Sequence, residues 1–296
     1  MSGRANILSI TRPSATWRAI GCSVRGASHE RSGRPNQDAI AWHPDTGTGT
    51  LVCLAVSDGH GSVKSFRSAE GAGIAVRTAI EVTQRFLDGQ PDLTNHSAIK
   101  RTAEEGLPQA LVRAWVHDVH KHLDRNPFTE GDWELAQDKD RGSVRQAVGK
   151  NPLLAYGATL LTVLIAPTFM LHLQLGDGDI LCVSENGDVS RPLQRDERLI
   201  ANETTSLCLD RAWRDFQVVF QPIRARPPAL IMVSTDGYAN SFRTEADFLK
   251  VGSDLLGIVR SDGLDAVRAG LEEWLIEASA AGSGDDVTLG IICRTE

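Results

Sequence analysis

Four aspartates stand directly at the ends of apolar runs, each beside glycine or a second carboxylate. They are Asp58 in LVCLAVSDGHG, Asp177 in LHLQLGDGD, Asp236 in ALIMVSTDGY and, reversed, Asp285 in GSGDDVTLGIIC. Runs of this length, rich in Val, Leu and Ile and bounded by Gly and Asp, read as strands buried on both faces or in a sandwich core. The four acids then stand where strands leave that core. Strand ends that lie near one another gather such acids into one cluster, and carboxylates held that close repel unless a cation or a proton neutralises them. Oxygen-only ligands select hard cations, so magnesium or manganese is the expected occupant.

The elements that must position these acids come in blocks rather than in strict βα alternation, which favours antiparallel sheets with helices outside them. Strands are expected at 17–24, 38–42 and 50–57, then through ATLLTVLIAP, FMLHLQLG and DILCVSE as a meander, at 213–221 and 229–235, and finally at 286–293. Ala72, Ala75, Val76, Ala79 and Val82 mark a helix over about 69–87. Leu107, Leu111, Trp115, Val119 and Leu123 recur every four residues and predict a second helix over 107–123. Two more helices are expected near 244–260 and 263–280. Residues 88–97 and the charged stretch 124–151 read as loops. The fold class expected from this pattern is α+β, antiparallel sheets with helices outside them.

A length of 296 residues and a hydrophobic content of 41% support one large core. We expect a flexible terminus over 1–15 and a single domain over 16–296. The net charge of −7 and the lack of any Lys/Arg run argue against nucleic-acid and membrane-surface partners. Five cysteines without a C-x-x-C pair read as small core residues of a reducing compartment. With no signal peptide and no apolar run of spanning length, a cytoplasmic protein and a monomer are expected.

The spaced motifs GASHERSGRPNQDA, VSDGHG, YGATLLTVLIA, LGDGDILCV, VSTDGYANSF and GSGDDVTL, in this order over about residues 17–294, resemble the metal-dependent serine/threonine protein phosphatases of type 2C, and in particular their short bacterial branch. The resemblance implies a sandwich of two antiparallel β-sheets flanked by helices (α-β-β-α), and hydrolysis of phosphoserine and phosphothreonine in proteins, within kinase-linked signalling, at a centre of two Mn2+ or Mg2+ ions and a third, looser one. It places Asp58 as the bridging ligand, the Gly59 carbonyl beside it, Asp236 and Asp285 as further ligands, Asp38 as the early acidic ligand and Asp177 at the third ion. His60 matches the histidine that protonates the leaving alkoxide. A pair of such ions acidifies a water between them and neutralises phosphate charge, so no covalent nucleophile is needed. Two positions depart from the pattern. Gln37 stands where relatives carry Glu, and Gly33 where they often carry a phosphate-binding arginine, a role for which Arg34 and Arg31 both lie close by. These departures support an alternative, a weakly active or inactive binding module on the same fold. The resemblance also implies a substrate flap over 191–214.

A lone Asp-Gly is most often a turn, the reading given to Asp45, Asp179, Asp188 and Asp262. His117, His120 and His122 read as a solvated helix face. Cys208 and Arg214 have the C-x5-R spacing of cysteine phosphatases, but CLDRAWR lacks the glycines that expose backbone N–H groups to a phosphate. Asp177-Gly-Asp179 fails as an aspartyl-phosphate motif because Leu181 occupies the place of Thr or Val and the alternating βα pattern is missing, and as a calcium loop because Leu181 replaces a ligand.

Overall fold

The computed structural model describes residues 15–135, 141–194, 204–224 and 226–295. In chain order its elements are β1 (Thr16–Val24), α1 (Ala27–Ser32), β2 (Ala39–His43), β3 (Thr48–Gly49), β4 (Val52–Ser57), α2 (Ser68–Asp88), α3 (His96–Arg125), α4 (Glu130–Leu135) and α5 (Arg141–Lys150). The second half carries β5 (Leu160–Ile165), β6 (Phe169–Leu175), β7 (Asp179–Val183), β8 (Val189–Ser190), β9 (Gln217–Pro222), β10 (Leu230–Ser234), α6 (Asp236–Ala239), α7 (Glu245–Asp262), α8 (Leu264–Ala281) and β11 (Val287–Thr295). One sheet has the order β3-β1-β11-β10-β7-β8 and the other β2-β4-β5-β6-β9, with all their pairings antiparallel.

Side chains alternate across a strand, and here both faces are apolar. Along β4, Cys53 and Ala55 join the layer beneath α2 and α3, whereas Val52, Leu54 and Val56 face the other sheet. Along β10, Leu230 and Met232 face α7 and α8, and Ile231 and Val233 face inward. Three apolar layers result: helix on sheet, sheet on sheet and sheet on helix, the expected α-β-β-α sandwich. Burial on both faces is what makes these strands continuous hydrophobic runs in the sequence.

The helical layer is larger than the sequence pattern indicates. Ile99 and Ala103 continue the stripe of Leu107, Leu111 and Trp115 toward the N-terminus, so the second helix starts at His96 rather than 107. Pro108 inside it lacks a helical N–H and disguises the continuity. The stretch 124–151 is not simply loop, since it carries α4 and α5, and Val144 and Val148 of α5 are buried. The strand expected at 213–221 begins at Gln217, after a short 3-10 turn at Ala212–Arg214. Residues 195–203 of the expected flap fall outside the described residues. All five cysteines are free, and none but Cys22 lies outside the buried class. No described helix is long and apolar enough to cross a membrane.

Register brings the acids to one edge. Ala39 pairs with Ser57, so the start of β2 and the end of β4 coincide. Ser234 pairs with both Asp179 and Leu289, so the end of β10 meets the starts of β7 and β11.

Candidate metal centre

Asp58 follows the last residue of β4, and its backbone is locked to the segment entering β5. Its N–H donates to Thr159 Oγ1 at 2.9 Å, Thr159 N–H donates to Asp58 O at 2.8 Å, and Ser57 Oγ donates to Thr159 O at 2.6 Å. Gly59 is buried, and a Cβ there would run into the Gln37 carbonyl and lie 2.8 Å from the Ser68 carbonyl. Only glycine lets these three segments meet. Asp38 stands just before β2. Its Oδ2 accepts from Thr235 Oγ1 at 2.8 Å and lies 2.8 Å from Thr288 Oγ1, which fixes the carboxylate and leaves Oδ1 for the cluster. Asp236 opens α6 directly after β10, and Asp285 sits in the turn before β11.

The acids perturb one another. Burial pushes the Asp58 carboxyl well above the usual range, and Asp38, Asp236 and Asp285 raise it further. Asp38 is likewise raised by burial and by Asp286 and Asp236, against the lowering effect of its two threonine partners. Asp236 is pushed up to about 6, first by burial, then by Asp177 and Asp285. Asp177 itself is exposed. Among the described residues, no Lys, Arg or His forms an ion pair with Asp38, Asp58 or Asp236, in contrast to Asp179, which is buried at the start of β7 and bound to Arg191 at 2.6 Å. Asp179 is thus a paired strand residue rather than a turn.

A divalent cation fits this donor set. Buried, mutually repelling carboxylates without a basic partner are stabilised by added positive charge. The Gln37 side chain adds a further oxygen: Nε2 donates to Ser68 Oγ at 2.6 Å, while Oε1 is buried without a hydrogen-bond partner. Among the described residues, the acid or histidine trio whose ligand atoms lie within 4.8 Å of one another is His29, Asp285 and Asp286, and no three of the expected acids meet that spacing. Mutual repulsion favours such a spread.

His60 is anchored by its N–H to Gly157 O at 3.0 Å, and burial lowers its pKa, partly offset by the Asp177 carboxylate. Arg34 is exposed and forms no ion pair with the acids among the described residues. Its backbone N–H donates to His29 O at 3.0 Å to close α1. Gly33, the helix cap beside it, has φ of 74°, a left-handed conformation that favours glycine over arginine at this position.

Three features escaped sequence reasoning. Helix α1 brings His29 against Asp286, at 2.8 Å. Arg67, buried, binds Asp132 at 2.8 Å and donates to Tyr156 OH at 2.9 Å, and His122 Nδ1 meets the same hydroxyl at 2.9 Å, so His122 departs from the solvated face kept by exposed His117 and His120. This network supports Tyr156–Gly157, the segment that holds His60.

The family model described as protein phosphatase 2C matches residues 25–276. Among curated protein sequences none matches the chain. Solved structures with this fold include PppA, a key regulatory component of T6SS in Pseudomonas aeruginosa. It is 16% identical with a TM-score of 0.56, over 94% of this chain and 98% of that one. The Mycobacterium tuberculosis serine/threonine phosphatase PstP/Ppp is 15% identical with a TM-score of 0.54, over 95% and 100%. The catalytic domain of PstP in complex with 2 manganese ions is 16% identical with a TM-score of 0.54, over 95% and 99%. These likenesses speak for the fold, and the family model spans most of the sequence that builds it: the chain belongs to the protein phosphatase 2C family.

Proposed function

We propose that residues 16–296 form one catalytic domain that hydrolyses phosphoserine and phosphothreonine in proteins with Mn2+ or Mg2+. The observation that carries the reading is the crowding of Asp38, Asp58 and Asp236 at one edge of the sandwich without a basic partner among the described residues. Asp58 with the Gly59 carbonyl, Asp236 and Asp285 would hold the ions, Asp38 would contribute through Oδ1, and Asp177 would serve a third. Bound there, such cations neutralise phosphate charge and acidify a water for in-line attack.

The chain's own residues set the geometry and handle the proton. The Thr159 bonds keep Asp58 and Gly59 in place, and the two threonines at Asp38 restrict its rotation. His60 is the donor to the leaving alkoxide; burial works against its proton and the neighbouring Asp177 carboxylate works for it. Manganese in the PstP complex and the regulatory role of PppA support the metal and a place in phosphoprotein signalling. Purified chain assayed with an aryl phosphate and a phosphopeptide, with and without Mn2+, tests the proposal. Turnover no greater than in an Asp58→Ala control rejects it. Intact Mn2+ binding without turnover would instead favour the binding module, for which the Gln37 amide, tied to Ser68, is the supporting observation.

A further inference from the structure

Asp286 and Asp285 are neighbours with opposite surroundings: Asp286 is buried and Asp285 exposed. Three groups converge on the Asp286 carboxylate. Gly26 N–H donates to Oδ1 at 2.6 Å, Gln37 N–H donates to Oδ2 at 2.7 Å, and His29 Nδ1 lies 2.8 Å from Oδ2. An ionised carboxylate only accepts hydrogen bonds, so Nδ1 of His29 is the donor. Nε2 is then the free edge of the ring, and it lies 3.8 Å from Asp285 Oδ1.

The Asp285 backbone is fixed without help from His29. Ser279 Oγ donates to its carbonyl at 2.7 Å, and its own N–H donates to Ser283 Oγ at 3.2 Å. The side chain is freer: it is 54% exposed, with Asp286 N–H donating to Oδ1 at 2.9 Å. The His29 ring stands against that same oxygen and limits the remaining rotation. Carboxylates that ligate metals are themselves held by surrounding groups, and loss of such support weakens metal binding.

We infer that His29 is a positioning residue: oriented by Asp286, its imidazole sets the Asp285 carboxylate toward Asp58 and Asp236 for a divalent cation. The inference rests on the metal-dependent reading above. Asp286 also holds Gln37 N–H, one residue before Asp38, so one buried carboxylate indexes acids from both ends of the chain.

Asparagine can place an amide N–H where Nδ1 stands but offers nothing at Nε2, so His29→Asn separates support of Asp286 from positioning of Asp285. Calorimetric Mn2+ titration of the full chain should show affinity reduced about 10- to 100-fold. In an Asp285→Asn background the same substitution should reduce it no further. Unchanged affinity in His29→Asn, or an equal loss in both backgrounds, overturns the inference. Should His29→Asn not fold, imidazole nitrogen NMR of the unaltered chain during Mg2+ titration decides. The Nδ1–H tautomer with His29 signals that move with occupancy is expected; the Nε2–H tautomer or unmoved signals overturn the inference. Absence of any Mn2+ binding by the unaltered chain refutes the metal reading itself.

Discussion

The carboxyl groups of Asp58, at the end of β4, and Asp236, after β10 in the opposite sheet, stand close enough to act on one another's pKa. Two carboxylates that close repel unless a proton or a cation neutralises them. Burial is the first cause of both raised pKa values, with Asp236 at about 6. A folded-state pKa raised above the unfolded value adds stability below that unfolded value, near 3.8, and the contribution is lost as pH rises through about 6. At pH 7 the metal-free protein therefore carries strain, which Asp236→Asn should relieve by about 2 kcal/mol, discounted for partial exposure. The gain should vanish below pH 4, and Mn2+-dependent turnover should be lost. Urea unfolding in chelator at both pH values checks this; an equal gain at each would contradict it.

Metal binding to the folded chain alone stabilises it by mass action, about 2.7 kcal/mol when free ion is 100 times its dissociation constant. Mn2+ should thus raise the melting temperature of the unaltered chain and leave that of Asp58→Asn nearly unchanged. Differential scanning calorimetry over a Mn2+ series reads the effect. A comparable rise in the variant would remove Asp58 from the ligand set.

Asp58, Asp236 and Asp285 were legible because each adjoins a strand whose two buried faces leave an unbroken apolar run in the sequence. The same periodic signal placed α8 and the core of α3. It failed where contacts join distant segments: His29 meets Asp286 across 257 residues and Arg67 meets Asp132 across 65, and neither pair leaves a local pattern. Helix α5 is an intermediate case. Its buried Val144 and Val148 are four apart, a helical spacing obscured by the charged residues around them. Gly33 shows the reverse, a departure from the family pattern whose cause is backbone conformation.

Gly71 of α2 lies against the turn that carries Tyr156, and a Cβ there would collide with the Tyr156 carbonyl. Its own carbonyl accepts the Trp115 Nε1–H at 3.0 Å, so the helix has no room to shift away from both partners. Gly71→Ala should destabilise the fold by about 1–3 kcal/mol, as overpacking does, despite alanine's higher helix propensity. A urea midpoint equal to or above that of the unaltered chain would show that α2 can move outward.

His172 lies fully buried in the middle of β6, with Nε2 3.2 Å from Gln221 Oε1 and Nδ1 without a partner. Burial pushes its pKa down to about 4, only partly countered by the Gln221 hydrogen bond. A folded-state value below the unfolded one, near 6.5, means that the neutral ring favours folding above pH 6.5, and that this contribution is lost as pH falls toward about 4. The loss amounts to about 3 kcal/mol. The acids around Asp58 act in the opposite direction over the same range, so the decisive quantity is the stability difference between the unaltered chain and His172→Leu. That difference should shift by about 3 kcal/mol in favour of the variant between pH 7 and pH 4, because leucine cannot take up a proton. Chemical unfolding of both proteins at matched pH measures it, and a difference that stays constant across the range would mean the imidazole gains solvent or a new partner when it is protonated.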